Sequence, residues 1–206
     1  MGKADDTPLL ANIYLHYAFL GFQHQAEADR FLENFRERLG RFGLELHPDK
    51  THRIEFGRFA EQNRKRRGEG KPETFDFLGF KHISGKNRLG RFTVRRKTIR
   101  KRMGAKLRDI KQQLRERMHD PVRQTGPWLK SVVHGYFNYY VVPGNTDSLS
   151  VFRDRLTGYW WHTLCRRSQK RRLSWTRMLA LADRWLPRPR VLHPYPAARF
   201  AASHPR

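Results

Sequence analysis

The sequence predicts an α+β fold in which short antiparallel strands, accompanied by a helix, are followed by an all-α helix bundle. The apolar pattern changes from short alternating runs to long helical stripes near residue 97. The charge changes in the same region, because residues 1–90 hold 16 basic and 13 acidic residues whereas residues 91–206 hold 27 and 6. We therefore predict one domain over residues 1–96, a helical domain over residues 97–186, and a C-terminal arm over residues 187–206, which contains five prolines.

The first region predicts one helix and four short strands. The helix has acidic Glu27 and Asp29 in its first turn and is stopped by Gly43. Strands are predicted over residues 44–46 and 52–56 around a turn at 47–49, and over residues 75–84 and 88–96, with a polar loop from residue 60 to about residue 74. Asp76 is predicted to be a strand residue on the polar face. The apolar face of the helix comprises Phe31, Leu32, Phe35, Leu39 and Phe42.

The second region predicts four helices. The first runs from Thr98 to His119, and the Thr98 side chain is predicted to cap it. The others cover residues 127–142, residues 148–172, and a stretch that starts at Ser174 and stops before Pro187. The first helix has one apolar stripe, formed by Ile99, Met103, Leu107, Ile110, Leu114 and Met118.

The composition indicates a polyanionic partner. The 206 residues carry a net charge of +24, so the chain repels itself unless it meets a polyanion. Nucleic acid is the first prediction and an anionic membrane surface the second. Since arginines are spread over several helices without an opposed apolar face, we predict no membrane partner. The single cysteine, Cys165, excludes an internal disulfide and a multi-cysteine zinc site.

The candidate RNA-binding residues are the basic side chains that crowd the helices of the second region. Like charges at this density destabilise an isolated helix, and mixed signs would serve solubility equally well. The aromatic residues of the bundle are interpreted as mainly core residues, with base stacking as the alternative. The RNA-binding set comprises Lys97, Arg100, Lys101, Arg102, Lys106, Arg108, Lys111, Arg153, Arg166, Arg167, Lys170, Arg171 and Arg172.

Four stretches together resemble a known family. They are TPLLANIYLH at residues 7–16, FGLELHPDKT at 42–51, FDFLGF at 75–80 and GYFNYYVVPGN at 135–145. In this order they resemble bacterial group II intron reverse transcriptase/maturases, which are RNA-directed DNA polymerases encoded by mobile genetic elements. The resemblance implies a partial palm over residues 1–96 and a helical thumb, or maturase-specific RNA-binding domain, over residues 97–186. It also implies a cytoplasmic location in a bacterium.

The same resemblance implies a truncated protein that lacks the catalytic aspartates. In the family, one catalytic aspartate precedes the stretch that matches residues 7–16, and a Tyr-Ala-Asp-Asp turn follows it. Here the chain continues directly into GFQHQAEADRF, so an internal deletion is predicted near Leu20–Gly21. Asp5 and Asp6 lie on the wrong side of residues 7–16 and are interpreted as solvated or capping acids. We predict no catalytic residue and no metal ligand, and no cofactor for this chain, whereas the intact family enzyme uses Mg²⁺.

The expected function is therefore binding of structured intron RNA or of an RNA–DNA duplex by a fragment that does not polymerise alone. Two alternatives remain open at this point. One is an active RNA-directed DNA polymerase, completed by a partner chain that carries the fingers and upper palm. The other is a basic protein of the membrane surface.

Overall fold

The computed structural model describes residues 20–167 and 173–191, which are divided into two compact units along the chain between Glu55 and Phe56. Within these ranges the chain forms six α helices and one three-stranded antiparallel sheet. The α+β class predicted from the sequence is confirmed. The assignment of its parts to a palm and a thumb stays a prediction.

The first unit contains the predicted helix but neither of the predicted strands. Helix α1 spans Gln25–Gly40 and buries Leu39 on its apolar face. The stretch after it forms a 3₁₀ turn at Pro48–Lys50, in which the Thr51 hydroxyl donates to the carbonyl of His47. The strands predicted at 44–46 and 52–56 are wrong. Alternating apolar residues make a strand only where a neighbouring strand pairs with them, and local side-chain bonding holds this turn instead.

The second unit begins with a short helix where the sequence predicted a loop. Helix α2 spans Ala60–Arg66, with Glu61 in its first turn and basic residues in its last turn. This order of charges complements the helix dipole. The sequence did not predict this helix because the segment is polar and has no apolar stripe. Only Ala60 of the helix is buried.

The sheet is a meander of β1 (Thr74–Phe77), β2 (Phe80–Lys86) and β3 (Phe92–Thr98). The strand predicted over residues 75–84 is instead a tight hairpin, with Leu78 and Gly79 as the turn between β1 and β2. Both turn residues have positive φ, 46° and 80°. This pattern is that of a type I′ turn, whose twist matches the strands it joins.

The two faces of the sheet have different chemistry. Asp76, Lys81 and Lys97 are register partners on one face, and Asp76 pairs with Lys81 at 2.7 Å. Asp76 is thus a strand residue exposed to solvent, as predicted. Phe80 lies on the other face and is buried in the core that the helices form, against Tyr140. The predicted boundary at residues 96–97 therefore falls inside a single compact unit.

The bundle consists of α3 (Arg100–Glu116), α4 (Val122–Tyr140), α5 (Thr146–Cys165) and α6 (Trp175–Trp185). Helix α4 begins at Val122, before its predicted start at Pro127. The predicted apolar stripe of α3 is confirmed at Met103, Leu107, Ile110 and Leu114, which are buried. The fully buried centre of the core includes Leu107, Ile110, Leu114, Leu129, Val133, Phe152, Leu156, Trp160 and Met178.

A buried amide joins the starts of α3 and α5. Asn145 accepts a hydrogen bond from the backbone N–H of Thr98 at 2.9 Å and donates to the Thr98 hydroxyl at 2.8 Å. It also donates to the carbonyl of Tyr140 at 2.9 Å. Thr98 was predicted to cap α3 and does not, since Ile99 is the residue at the cap and its side chain makes no capping bond. The hydroxyl of Thr98 is used by the tertiary contact instead.

Candidate nucleic-acid interface

Helices α3 and α5 run parallel from this common start. Thr98 and Asn145 meet before the first turns, and farther along the Nζ of Lys111 lies 5.2 Å from the ring centre of Tyr159. Lys111 is thirteen residues after Thr98 and Tyr159 is fourteen after Asn145. The Thr98–Asn145 contact and the Lys111–Tyr159 contact are therefore about 20 Å apart along both helices. The two helices therefore stay side by side and in register over this length.

One flank of α3 carries a row of cations. Arg100, Arg108, Lys111 and Arg115 follow one another at steps of eight, three and four residues, which places them on one side of the helix. Lys101 lies beside them, and Gly104 occupies the position between Arg100 and Arg108. The row lies on the side of α3 that faces α5, because Lys111 in this row contacts Tyr159 of α5.

The adjoining flank of α5 is also basic. Arg155 and Arg166 lie four residues before and seven residues after Tyr159, so all three share one side of α5. Both arginines are exposed and Tyr159 is half-buried. The acids Asp147 and Asp154 lie about 80–100° farther round α5 from Arg155. We call the combined surface the α3–α5 cationic face, formed by Arg100, Lys101, Arg108, Lys111, Arg115, Arg155 and Arg166.

The charges of this face are not neutralised within the fold. Across residues 20–167 and 173–191, none of its seven cations forms an ion pair with a carboxylate. Within the described residues, Lys111 also makes a cation–π contact with the ring of Tyr159. Seven cations on adjoining helix flanks, with no ion pair among the described residues, create a strongly positive potential, which is the electrostatic footprint of a phosphate-binding surface.

The opposite flank of α3 behaves differently. There Lys106 pairs with Asp109 at 3.0 Å, and Gln113 donates to the same carboxylate at 2.9 Å. The hydrogen bonds from Gln113 and Lys106 hold the pKa of Asp109 below its usual range. The charge of Lys106 is thus compensated locally, and this flank does not extend the face.

The structure brings together five of the residues predicted to bind RNA: Arg100, Lys101, Arg108, Lys111 and Arg166. Lys97 lies apart from them on the exposed face of the sheet, opposite Lys81. Arg102 lies beside the β1–β2 turn, where its Nη1 is 3.5 Å from the point that a Cβ on Gly79 would occupy. Lys170, Arg171 and Arg172 lie outside the described residues.

Two predicted residues have structural surroundings of their own. Arg153 is half-buried, pairs with Asp183 at 2.8 Å and donates to the carbonyl of Leu186, so it joins α5 to α6. Arg167 is also half-buried, and in the described structure its Nε and Nη2 have no hydrogen-bond partner. Burial lowers the pKa of Arg167, while the charge of Asp120 opposes that shift.

Three residues at the interface were not predicted from the sequence: Arg115, Arg155 and Tyr159. Arg115 could have been found, because it continues the spacing of Arg108 and Lys111 on a helix whose apolar stripe was already recognised. Arg155 could not, since no local signal shows which flank of α5 adjoins α3. That information lies in the contact between Lys111 and Tyr159.

Other chemistry has less support. No cluster of three or more His, Cys, Asp or Glu side chains that could hold a metal ion occurs in the described ranges. Asp5 and Asp6 lie outside those ranges. None of the described helices combines the length and apolar character needed to cross a membrane.

Comparisons with known proteins add no assignment. No protein-family model matches the chain, and neither a curated protein nor a solved structure does.

Proposed function

We propose that this protein binds structured RNA or an RNA–DNA duplex through the α3–α5 cationic face. The observation that supports this most directly is the set of seven uncompensated cations on two parallel, adjoining helix flanks. The resemblance to group II intron reverse transcriptase/maturases favours intron RNA as the natural ligand. Under this proposal the chain is an RNA-binding fragment of that kind of protein, and its contribution is binding rather than polymerisation.

The unpaired like charges of the face destabilise the free protein. Arg108, Lys111 and Arg115 place exposed like charges three and four residues apart on α3, and like charges at such spacing destabilise a helix. A polyanion removes that cost, because each phosphate neutralised releases condensed counterions. Binding is therefore driven largely by charge and depends strongly on salt.

The shape of the face favours a helical ligand over a base-specific one. From Arg100 to Arg115 the α3 row extends about 22 Å, at 1.5 Å per residue. A row of guanidinium and ammonium groups of this length can follow a phosphate backbone, which positions a duplex without reading its bases. Double-stranded RNA is recognised mostly in this way, by shape and by its sugar–phosphate edge.

The test is a charge reversal confined to the face. Changing Arg100, Arg108 and Arg115 together to Glu should weaken binding to a structured RNA more than tenfold and flatten the slope of log K against log salt by about 2–3. The apolar stripe of α3 is untouched, so circular dichroism should not change. Binding is measured by filter retention or fluorescence anisotropy at several salt concentrations.

A matched control separates this face from overall charge. Changing Arg30, Arg36 and Arg38 of α1 to Glu alters the net charge by the same amount, and all three are exposed. The control should retain most of the affinity of the unchanged protein. Equal losses in the two triple variants would contradict the proposal, as would tighter binding to anionic lipid vesicles than to RNA at the same salt.

A further inference from the structure

Gly104 stands in the interior of α3, where the protein itself gives no reason for a glycine. Its backbone is helical, outside the left-handed region that favours this residue. A Cβ added there would meet only the Nη1 of Arg108, at 3.5 Å, which is ordinary contact with the end of a flexible side chain. Alanine would fit and would favour the helix, since glycine is among the least favourable residues at interior helix positions.

Two other glycines of the same unit are explained by their neighbours or their backbone, whereas Gly135 and Gly158, like Gly104, have no close neighbour that requires glycine. A Cβ on Gly126 of α4 would lie 2.6 Å from the ring of Trp185, so glycine is required for α4 and α6 to pack. Gly79 has a φ of 80° in the β1–β2 turn, and a Cβ there would also approach the Tyr140 hydroxyl at 3.0 Å. Gly104 has neither a packing nor a backbone explanation. What distinguishes Gly104 from Gly135 is its position between Arg100 and Arg108 on the α3–α5 cationic face.

The surroundings of Gly104 indicate what approaches it. Arg100 precedes it by four residues, Lys101 by three, and Arg108 follows by four, so cations border it on the helix surface. Arg100 and Arg108 are separated by about 12 Å along the axis. Gly104 is half-buried, with the Nη1 of Arg108 3.5 Å from the position of an added Cβ, and the missing side chain leaves helix backbone bordered by these cations.

We infer that one phosphodiester strand of the bound RNA lies directly against the α3 backbone at Gly104, between Arg100 and Arg108. This inference rests on the proposed function and adds a contact residue that carries no charge. A methyl group at position 104 would hold the strand away from the helix. The two flanking arginines would then reach the phosphates with longer and weaker hydrogen bonds. Charge-assisted hydrogen bonds between arginine and phosphate are the strong contacts of such a site, so their lengthening weakens binding.

The experiment compares substitutions at Gly104 with the same substitutions at Gly135. Gly135 lies in the interior of α4, is exposed, and has no atom within 4 Å of an added Cβ. No lysine or arginine occurs in residues 131–140, so this position is a control for helix propensity away from the cationic face. Each variant is measured for thermal unfolding and for binding to the same structured RNA.

Gly104→Ala should raise the melting temperature by about 2–4 °C, as should Gly135→Ala. Only Gly104→Ala should weaken RNA binding, by about fivefold. Gly104→Lys provides a sharper comparison, because it adds a cation and also adds bulk. We expect Gly104→Lys to weaken binding although the net charge rises, whereas Gly135→Lys should leave it unchanged or slightly stronger.

The outcomes separate this inference from the proposed function. If the unchanged protein binds RNA and the Arg100, Arg108 and Arg115 reversal abolishes binding, but Gly104→Ala and Gly104→Lys bind as tightly as their Gly135 counterparts, the strand does not contact Gly104. A lower melting temperature for Gly104→Ala would also overturn the inference, because the fold itself would then require glycine. Failure of the unchanged protein to bind RNA would remove the proposed function first. Capture of an acidic protein in place of RNA by the same face would overturn both.

Discussion

At the scale of single residues, Asn145 connects parts of the chain that are far apart in sequence. Its side chain is fully buried, and its amide satisfies the N–H and the hydroxyl of Thr98 together with the carbonyl of Tyr140. A buried backbone group that loses its partner pays its full desolvation cost. Asn145 therefore determines how α3 begins beside α5, and through this the register of the cationic face.

We expect Asn145→Ala to lower the free energy of unfolding by about 2–4 kcal/mol, because it leaves the buried N–H of Thr98 without its partner and removes one of the two hydrogen bonds that the Tyr140 carbonyl accepts. Urea denaturation followed by circular dichroism measures this. Asn138→Ala is the control, since Asn138 is exposed on α4 and its loss should change stability by no more than about 0.5 kcal/mol. Similar stabilities for the two variants would show that the amide is not essential.

At the scale of elements, the β1–β2 hairpin contains an unfavourable residue. Leu78 has a φ of 46° and is 57% exposed, so its side chain gains little from packing while its backbone adopts a conformation that few residues tolerate. Its carbonyl accepts a hydrogen bond from the Tyr139 hydroxyl at 2.9 Å, which anchors the turn to α4. That anchor uses only the backbone and is independent of the side chain at position 78.

Leu78→Asn should therefore stabilise the protein by about 0.5–1 kcal/mol, because Asn-Gly is the preferred pair for a type I′ turn. Thermal unfolding compares it with Leu89→Asn. Leu89 is 77% exposed in the β2–β3 connection, and positive φ there belongs to Gly90, so this control should be close to neutral. A loss of stability in Leu78→Asn would mean that the leucine side chain makes a contact worth more than the backbone strain.

At the scale of the whole molecule, the core is unevenly distributed between the two units. Among residues 20–55 only Leu39 is buried, whereas the core of the second unit extends from Phe80 of the sheet to Leu186 after α6. Since stability follows buried apolar area, the second unit should resist unfolding on its own. The sheet belongs to that core through Phe80 and should be protected together with the helices.

Limited trypsin digestion should accordingly leave a resistant fragment that starts between residues 54 and 72, before β1. Arg53 and Arg58 are exposed cleavage points on either side of the boundary between the units. Mass spectrometry identifies the new N-terminus. A fragment that starts between residues 85 and 100 would instead favour the boundary at 96–97 predicted from composition, with the sheet outside the stable core.

The sequence by itself determined the properties that depend on neighbours along the chain. The charge contrast between the halves, the stripe through Leu107, Ile110 and Leu114, and the α+β class all follow from composition and local period. It could not separate the hairpin at Leu78–Gly79 from a continuous strand, because that turn uses an unusual residue. It also missed α2, because that helix has no apolar stripe.

Only the tertiary structure decided which cations act together. Arg153 and Arg155 are two residues apart on α5, yet Arg153 is bound to Asp183 of α6 whereas Arg155 lies on the flank beside α3. Lys111 and Tyr159 are 48 positions apart and meet because Asn145 holds the starts of their helices together. Helical period determines the face of a side chain on its own helix. The partner of that face depends on packing and buried hydrogen bonds between distant segments, which no local pattern contains.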